Sequence, residues 1–119
     1  QERPAGQWTK GKSGDVWAPV GPWLVTKDEV PNPEKLSIWL EVNGKKVQNG
    51  STDKLIFNIK QIVSFVSEYM TLLPGDIIMT GTPPGVGAGM DPQQWLNVGD
   101  TMRLGIEGLG EQSQSVVGR

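Results

Sequence analysis

Leu36-Ser37-Ile38-Trp39-Leu40-Glu41-Val42-Asn43-Gly44-Lys45-Lys46-Val47-Gln48 carries two signals in immediate succession. Leu36, Ile38, Leu40 and Val42 alternate with Ser37, Trp39 and Glu41, the period of a strand with one buried face. Asn43-Gly44 follows at once. Both residues tolerate positive φ, as a type I′ hairpin turn requires, so Lys45 to Gln48 is predicted to return antiparallel.

Upstream of this hairpin, Lys27 to Lys35 is a polar loop with Pro31 and Pro33. Trp17 to Thr26 holds Pro19 and Pro22, which remove ladder donors, so it reads as a bent extended segment rather than a helix. Downstream, between Asn58 and Leu72, the period changes. Ile59, Ile62, Val63, Val66 and Met70 fall on one helical face, with Lys60, Gln61, Ser64, Ser67 and Glu68 largely opposite. Asn58 is placed to cap this helix, and Gln61 three residues on completes a capping box. Pro74-Gly75 ends the helical region. Asp76 to Thr80 then reads as a short buried strand feeding the glycine-rich loop Gly81 to Gly89. Thr101 to Glu107 and Glu111 to Val117 are predicted as two antiparallel strands around a Gly108-Leu109-Gly110 turn. The whole reads as mainly β with one substantial helix, and Trp8, Trp17, Trp23, Trp39 and Trp95 are expected to make its core partly aromatic.

The composition excludes several chemistries. The 119 residues include no Cys and no His, which removes Ser-His-Asp triads, thiol nucleophiles, disulfides and Cys or His zinc sites. Any metal must be held by oxygen. With 11 Lys plus Arg against 13 Asp plus Glu, and the basic residues scattered, no footprint for nucleic acid phosphates is formed. No stretch approaches the roughly 18 apolar residues of a membrane span, and the expected location is the cytoplasm. No Met opens the chain, and Gln1 to Gln7 is polar and patternless ahead of Trp8, so the chain is expected to start within a longer protein.

Three groups of residues are candidates for chemistry. The Gly85-Val86-Gly87-Ala88-Gly89 run does not fit a nucleotide loop, because Met90 stands where GxGxxG needs its third glycine and no Lys-Ser or Lys-Thr closes a P-loop. A different use suits it: the backbone amides of Gly81 and Thr82, with the hydroxyls of Thr80 and Thr82, can line a pocket for a substrate carboxylate or carbonyl. Lys12, in Gly11-Lys12-Ser13-Gly14-Asp15, has small neighbours that would let its ammonium approach a ligand. On spacing alone it also reads as an ordinary solvated lysine, with Lys10 competing and Asp15 available as a local ion-pair partner. Carboxylates form no ExE or DxD pair, and Asp28-Glu29 sits in a loop bordered by proline, so no metal site is assigned to these residues.

Taken in order, four phrases narrow these readings. They are Gly11-Lys12-Ser13-Gly14-Asp15 leading into Ala18-Pro19-Val20-Gly21-Pro22-Trp23, then Glu41-Val42-Asn43-Gly44 with Gln48 and Ser51-Thr52, then Leu73-Pro74-Gly75-Asp76-Ile77-Ile78-Met79-Thr80-Gly81-Thr82-Pro83-Pro84-Gly85-Val86-Gly87, then Val98-Gly99-Asp100. This order resembles the C-terminal part of the catalytic domain of the fumarylacetoacetate hydrolase family, over nearly the whole chain. Within that family the sequence is most similar to bacterial members described as 2,4-diketo-3-deoxy-L-fuconate hydrolase or ureidoglycolate lyase.

The resemblance implies a mixed β-sandwich roll, here partial, with residues 1–119 forming the C-terminal portion of one catalytic domain. It implies a divalent metal, Mg²⁺ or else Mn²⁺ or Ca²⁺, that acts as a Lewis acid on a 2-oxo acid or diketo acid substrate and stabilises the enolate formed as a carbon-carbon bond breaks. Residue by residue, Lys12 matches the family's active-site lysine and Thr82 the threonine that binds the substrate's carboxylate or carbonyl, with Thr80 and Gly81 as further substrate-binding positions. The family's metal ligands, a Glu-x-Glu pair and an Asp, and its lid-borne His-Glu pair belong upstream of the equivalent of Gln1. Two positions depart from the pattern: Val16 stands where many relatives carry Thr, and Gly14 where an aromatic is common. The expected partners are the N-terminal part of the same domain and a second subunit in a homodimer. A lyase, decarboxylase or isomerase of the same family is the alternative chemistry. A non-catalytic β-rich scaffold or interaction module is the alternative from outside enzymology.

Overall fold

The computed structural model describes residues 6–118, so most of the polar opening read from Gln1 to Gln7 lies outside the described residues. Six regular elements follow in order: helix α1 (Trp8–Lys12), strands β1 (Ser37–Val42) and β2 (Lys45–Ser51), helix α2 (Ile59–Ser67), and strands β3 (Thr101–Ile106) and β4 (Gly110–Ser115). The strands form one antiparallel sheet in the order β2-β1-β3-β4. The fold is therefore mainly β with few helices, as the alternation and the turn chemistry require.

The hairpin turns where Asn43-Gly44 directs it. Asn43 has φ 50° and Gly44 φ 77°, and Val42 pairs with Lys45 across the two-residue loop. Asn43 also joins this turn to the start of the adjacent strand β3: its side-chain amide donates to Asp100 Oδ1 at 2.8 Å, and its Oδ1 accepts from the Thr101 amide at 2.9 Å. Helix α2 begins with the predicted capping box, the Asn58 side chain accepting from the Gln61 amide and the Gln61 side chain from the Asn58 amide. Two of the first turn's otherwise unpaired donors are thereby satisfied.

In antiparallel pairing, partners share a face, so the registers divide the sheet cleanly. Ile38, Leu40 and Val42 of β1 lie with Met102, Leu104 and Ile106 of β3 on one face. Trp39 and Glu41 lie opposite with Arg103 and Gly105. There Arg103 and Lys46 approach the Trp39 ring at 5.4 and 5.9 Å, and Arg103 pairs with Glu111 at 2.5 Å. Trp39 lies over Gly105, where a β-carbon would sit 3.0 Å from the indole.

The apolar face is crossed by two irregular segments. Pro83 to Asn97 runs over β2, β1 and β3, and Gly21 to Trp23 crosses β4, where the Gln112 side chain donates to the Gly21 carbonyl and Trp23 packs on Gly110. Two expectations are corrected. Asp76 to Thr80 forms no strand, because no neighbouring strand among the described residues completes its hydrogen bonds. The indoles do not form a core either: Trp8, Trp17, Trp23 and Trp95 are each about 60% exposed, and no hydrophobic side chain among the described residues is fully buried. The chain exposes 9981 Å² of surface, whereas a closed domain of this mass would expose about 6,300 Å².

Candidate functional site

The site is built where β2 meets the glycine-rich loop. A register shift between Leu40 and Glu41 gives β2 one extra residue, Val47, so that Lys46 opposes Glu41 while Gln48 opposes Leu40. A bulge of this kind puts the alternation of a strand out of phase. Counted from the turn, Gln48 would face away with Lys46; after the bulge it faces the apolar side with Leu40 and Gly50. From there its side-chain amide donates to Thr82 Oγ1 at 2.8 Å and to the Pro83 carbonyl at 2.7 Å.

Glycines allow the loop to lie this close. A β-carbon at Gly50 would stand 2.8 Å from Pro83 Cβ, and one at Gly85 would run into the Val47 carbonyl. Gly85 also has φ 111°, a backbone geometry that side chains resist. Beyond this seam the loop folds back on itself, the Gln94 amide donating to the Gly87 carbonyl at 3.0 Å. Between loop and sheet lies a cavity of about 570 Å³, lined by Leu40, Val42, Met90, Trp95 and Met102 among others.

The predicted substrate-binding residues Thr80, Gly81 and Thr82 are consecutive and exposed, with Gly81 at φ 111° at the bend. Among the described residues, Thr82 is the one of the three whose side chain is anchored, by Gln48. Lys12 ends α1 and is exposed; among the described residues no hydrogen bond or ion pair ties it to Asp15 or to the Thr80 to Thr82 segment. Behind it Trp17 packs so closely on Gly14 that a β-carbon there would collide with the indole, which accounts for a glycine at that position. Val16 has φ 57°, a left-handed geometry that is costly for a β-branched residue. The sequence phrase contains Gln48 but does not reveal its role, since its face depends on a bulge that the alternation does not announce.

The carboxylates near the site serve the fold. Asp76 accepts from the Leu73 amide at 2.7 Å across the Pro74-Gly75 turn. Asp100 accepts from the Asn97 amide at 2.7 Å and from Asn43, and these two bonds, the Asn97 amide first, hold its carboxyl below the usual carboxylate range. Among the described residues no three His, Cys, Asp or Glu side chains converge as a metal site would need. These residues therefore do not by themselves fit a divalent cation.

The profile of the fumarylacetoacetate (FAA) hydrolase C-terminal domain matches residues 1–117. The chain belongs to the fumarylacetoacetate hydrolase family. A Burkholderia ambifaria protein of this kind, provisionally assigned as a hydrolase, is 58% identical over 111 residues, covering 92% of this chain and 39% of its own length. The chain thus spans well under half of the curated relatives it matches. Among solved structures, maleylpyruvate hydrolase from Sphingobium sp. SYK-6, in complex with manganese(II) ion and pyruvate, is 41% identical with a TM-score of 0.79, over 87% of this chain and 36% of that one. The 5-carboxymethyl-2-hydroxymuconate delta-isomerase of Mycobacterium smegmatis is 40% identical with a TM-score of 0.82, over 95% and 41%. The fumarylacetoacetate hydrolase family so represented includes both hydrolases and isomerases, and a divalent metal in one member.

Proposed function

We propose that the protein carrying these residues is a hydrolase that cleaves a carbon-carbon bond in a diketo or acylpyruvate-type acid. The observation that carries this reading is Thr82: an exposed hydroxyl on a loop clamped to the sheet, within a chain similar to a maleylpyruvate hydrolase whose complex holds pyruvate. The 2-oxo acid end of such a substrate offers only acceptor oxygens. Thr82 donates to them, and the Thr80 hydroxyl and Gly81 amide assist. Lys12 is the group that supplies positive charge, and a proton, to the enolate oxygen as the bond breaks. Water adds to the distal carbonyl before the bond breaks, so that its oxygen stays on the second product, a carboxylic acid, and the enolate released takes up a proton at carbon to become the 2-oxo acid.

The divalent metal of the reading, Mg²⁺, Mn²⁺ or Ca²⁺, would act as a Lewis acid when bound. Its ligands are proposed to lie in the N-terminal part of the same domain, since the carboxylates described here do not converge. A cytoplasmic homodimer is the proposed working form.

Full-length protein assayed with acylpyruvates and maleylpyruvate, in the presence of each metal, should release pyruvate with uptake of one water. Replacing Lys12 by Ala or Thr82 by Val should lower kcat/KM by about 10- to 1,000-fold, the range for lost acid-base or oxyanion contacts. A second reading is favoured by the delta-isomerase relative: conversion of the substrate without water uptake or bond cleavage would replace hydrolysis by isomerisation.

A further inference from the structure

Gln48 has no part in the chemistry just described, yet its side chain is hydrogen-bonded to Thr82. We infer that Gln48 is a positioning residue that fixes the polarity of the Thr82 hydroxyl, turning it into a committed donor toward the substrate's carboxylate or carbonyl oxygen. This rests on the reading of Thr82 as a substrate-binding residue.

The geometry leaves little freedom. A carbonyl oxygen can only accept, so the group of Gln48 that faces Pro83 at 2.7 Å is its NH₂. The same NH₂ reaches Thr82 Oγ1 at 2.8 Å, and its two protons are thereby both used. A threonine hydroxyl is otherwise free to rotate and to donate or accept. With one lone pair taken by Gln48, its proton is directed elsewhere, and no acceptor for it is found among the described residues. An oxo acid has acceptors only, so a hydroxyl already held in the donor sense binds it without a reorientation step. Gln48 is itself held firm: it is half-buried in a paired strand, follows the bulge at Val47, and is flanked by the close seams of Gly50 with Pro83 and Gly85 with Val47. A site placed on a strand in this way is more exact than one placed by a loop alone.

Two substitutions separate polarity from packing. Gln48→Met keeps length and removes both donors. Gln48→Glu keeps shape and replaces the NH₂ by an acceptor, which takes the Thr82 proton and faces the Pro83 carbonyl with like polarity. In full-length protein with Mn²⁺, pyruvate affinity is measured by titration calorimetry for these variants, for Thr82→Val and for Gln48→Met/Thr82→Val. Thermal denaturation is recorded alongside.

Thr82→Val and Gln48→Met are each expected to weaken pyruvate by about 10- to 150-fold, and Gln48→Glu by at least as much, as loss of a hydrogen bond to a charged group predicts. The double variant should be no weaker than Thr82→Val alone, since Gln48 acts through that hydroxyl. With an acylpyruvate substrate the loss from Gln48→Met should fall mainly on KM. Unchanged affinity in Thr82→Val would remove the reading on which the inference rests. A weakened Thr82→Val with an unaffected Gln48→Met would keep that reading and overturn the inference. Additive losses in the double variant would overturn it too, by showing that Gln48 acts independently of Thr82. If Gln48→Glu unfolds, Gln48→Met and the double variant decide the matter.

Discussion

Gly85 meets two constraints at once, a positive φ and a neighbouring carbonyl where a side chain would begin. Gly85→Ala in the full-length protein should therefore destabilise it by about 1–3 kcal/mol, through strain and displaced packing together. Chemical denaturation measures the first effect. A rise in KM, as Thr82 loses its seat, measures the second. Asp100 makes a different kind of contribution. Its carboxyl is held below the usual range by the Asn97 amide and the Asn43 side chain. The stability this adds is complete above the unfolded carboxylate value and is lost as pH falls through the lower folded value. The denaturation midpoint of wild type should consequently exceed that of Asp100→Asn at pH 6, and the gap should narrow below about pH 4. A gap that widens in acid would assign the stabilisation to another group.

At the level of the element, α2 depends on its first turn. Asn58→Ala removes one bond of the capping box and loosens the other, at a cost of about 1 kcal/mol, while Asn58→Asp should be nearly neutral. Urea denaturation of the two variants tests this. The helix, its cap and both hairpins were legible in the sequence because their causes are local: a period of 3.6 or 2, an Asn followed three residues later by a Gln, and an Asn-Gly pair. What could not be read was non-local. Alternation from Asn43-Gly44 puts Gln48 on the wrong face because the extra residue at Val47 leaves no periodic trace. Asp76 to Thr80 has a strand's composition but lacks ladder partners among the described residues, and composition does not report a neighbour. For the site, Thr80 to Thr82 were located by the motif, whereas the clamp on Thr82 required the register of β2.

At the scale of the molecule, the described chain is open. Its radius of gyration is 15.9 Å, against about 13.5 Å for a closed domain of this length. Both outer strands, β2 and β4, offer an unpaired edge within this sheet, and Val63, Phe65 and Met70 of the α2 region stand exposed. Produced as these 119 residues alone, the chain should self-associate through those edges and apolar faces. Size-exclusion chromatography with light scattering would show assemblies, and a monodisperse compact monomer would contradict the expectation. The same openness has an optical consequence. Because Trp8, Trp17, Trp23 and Trp95 sit at the surface, their emission lies toward the red in the isolated chain and shifts to the blue as any partner covers them. Assembly of this molecule can thus be followed by its own light, without a label.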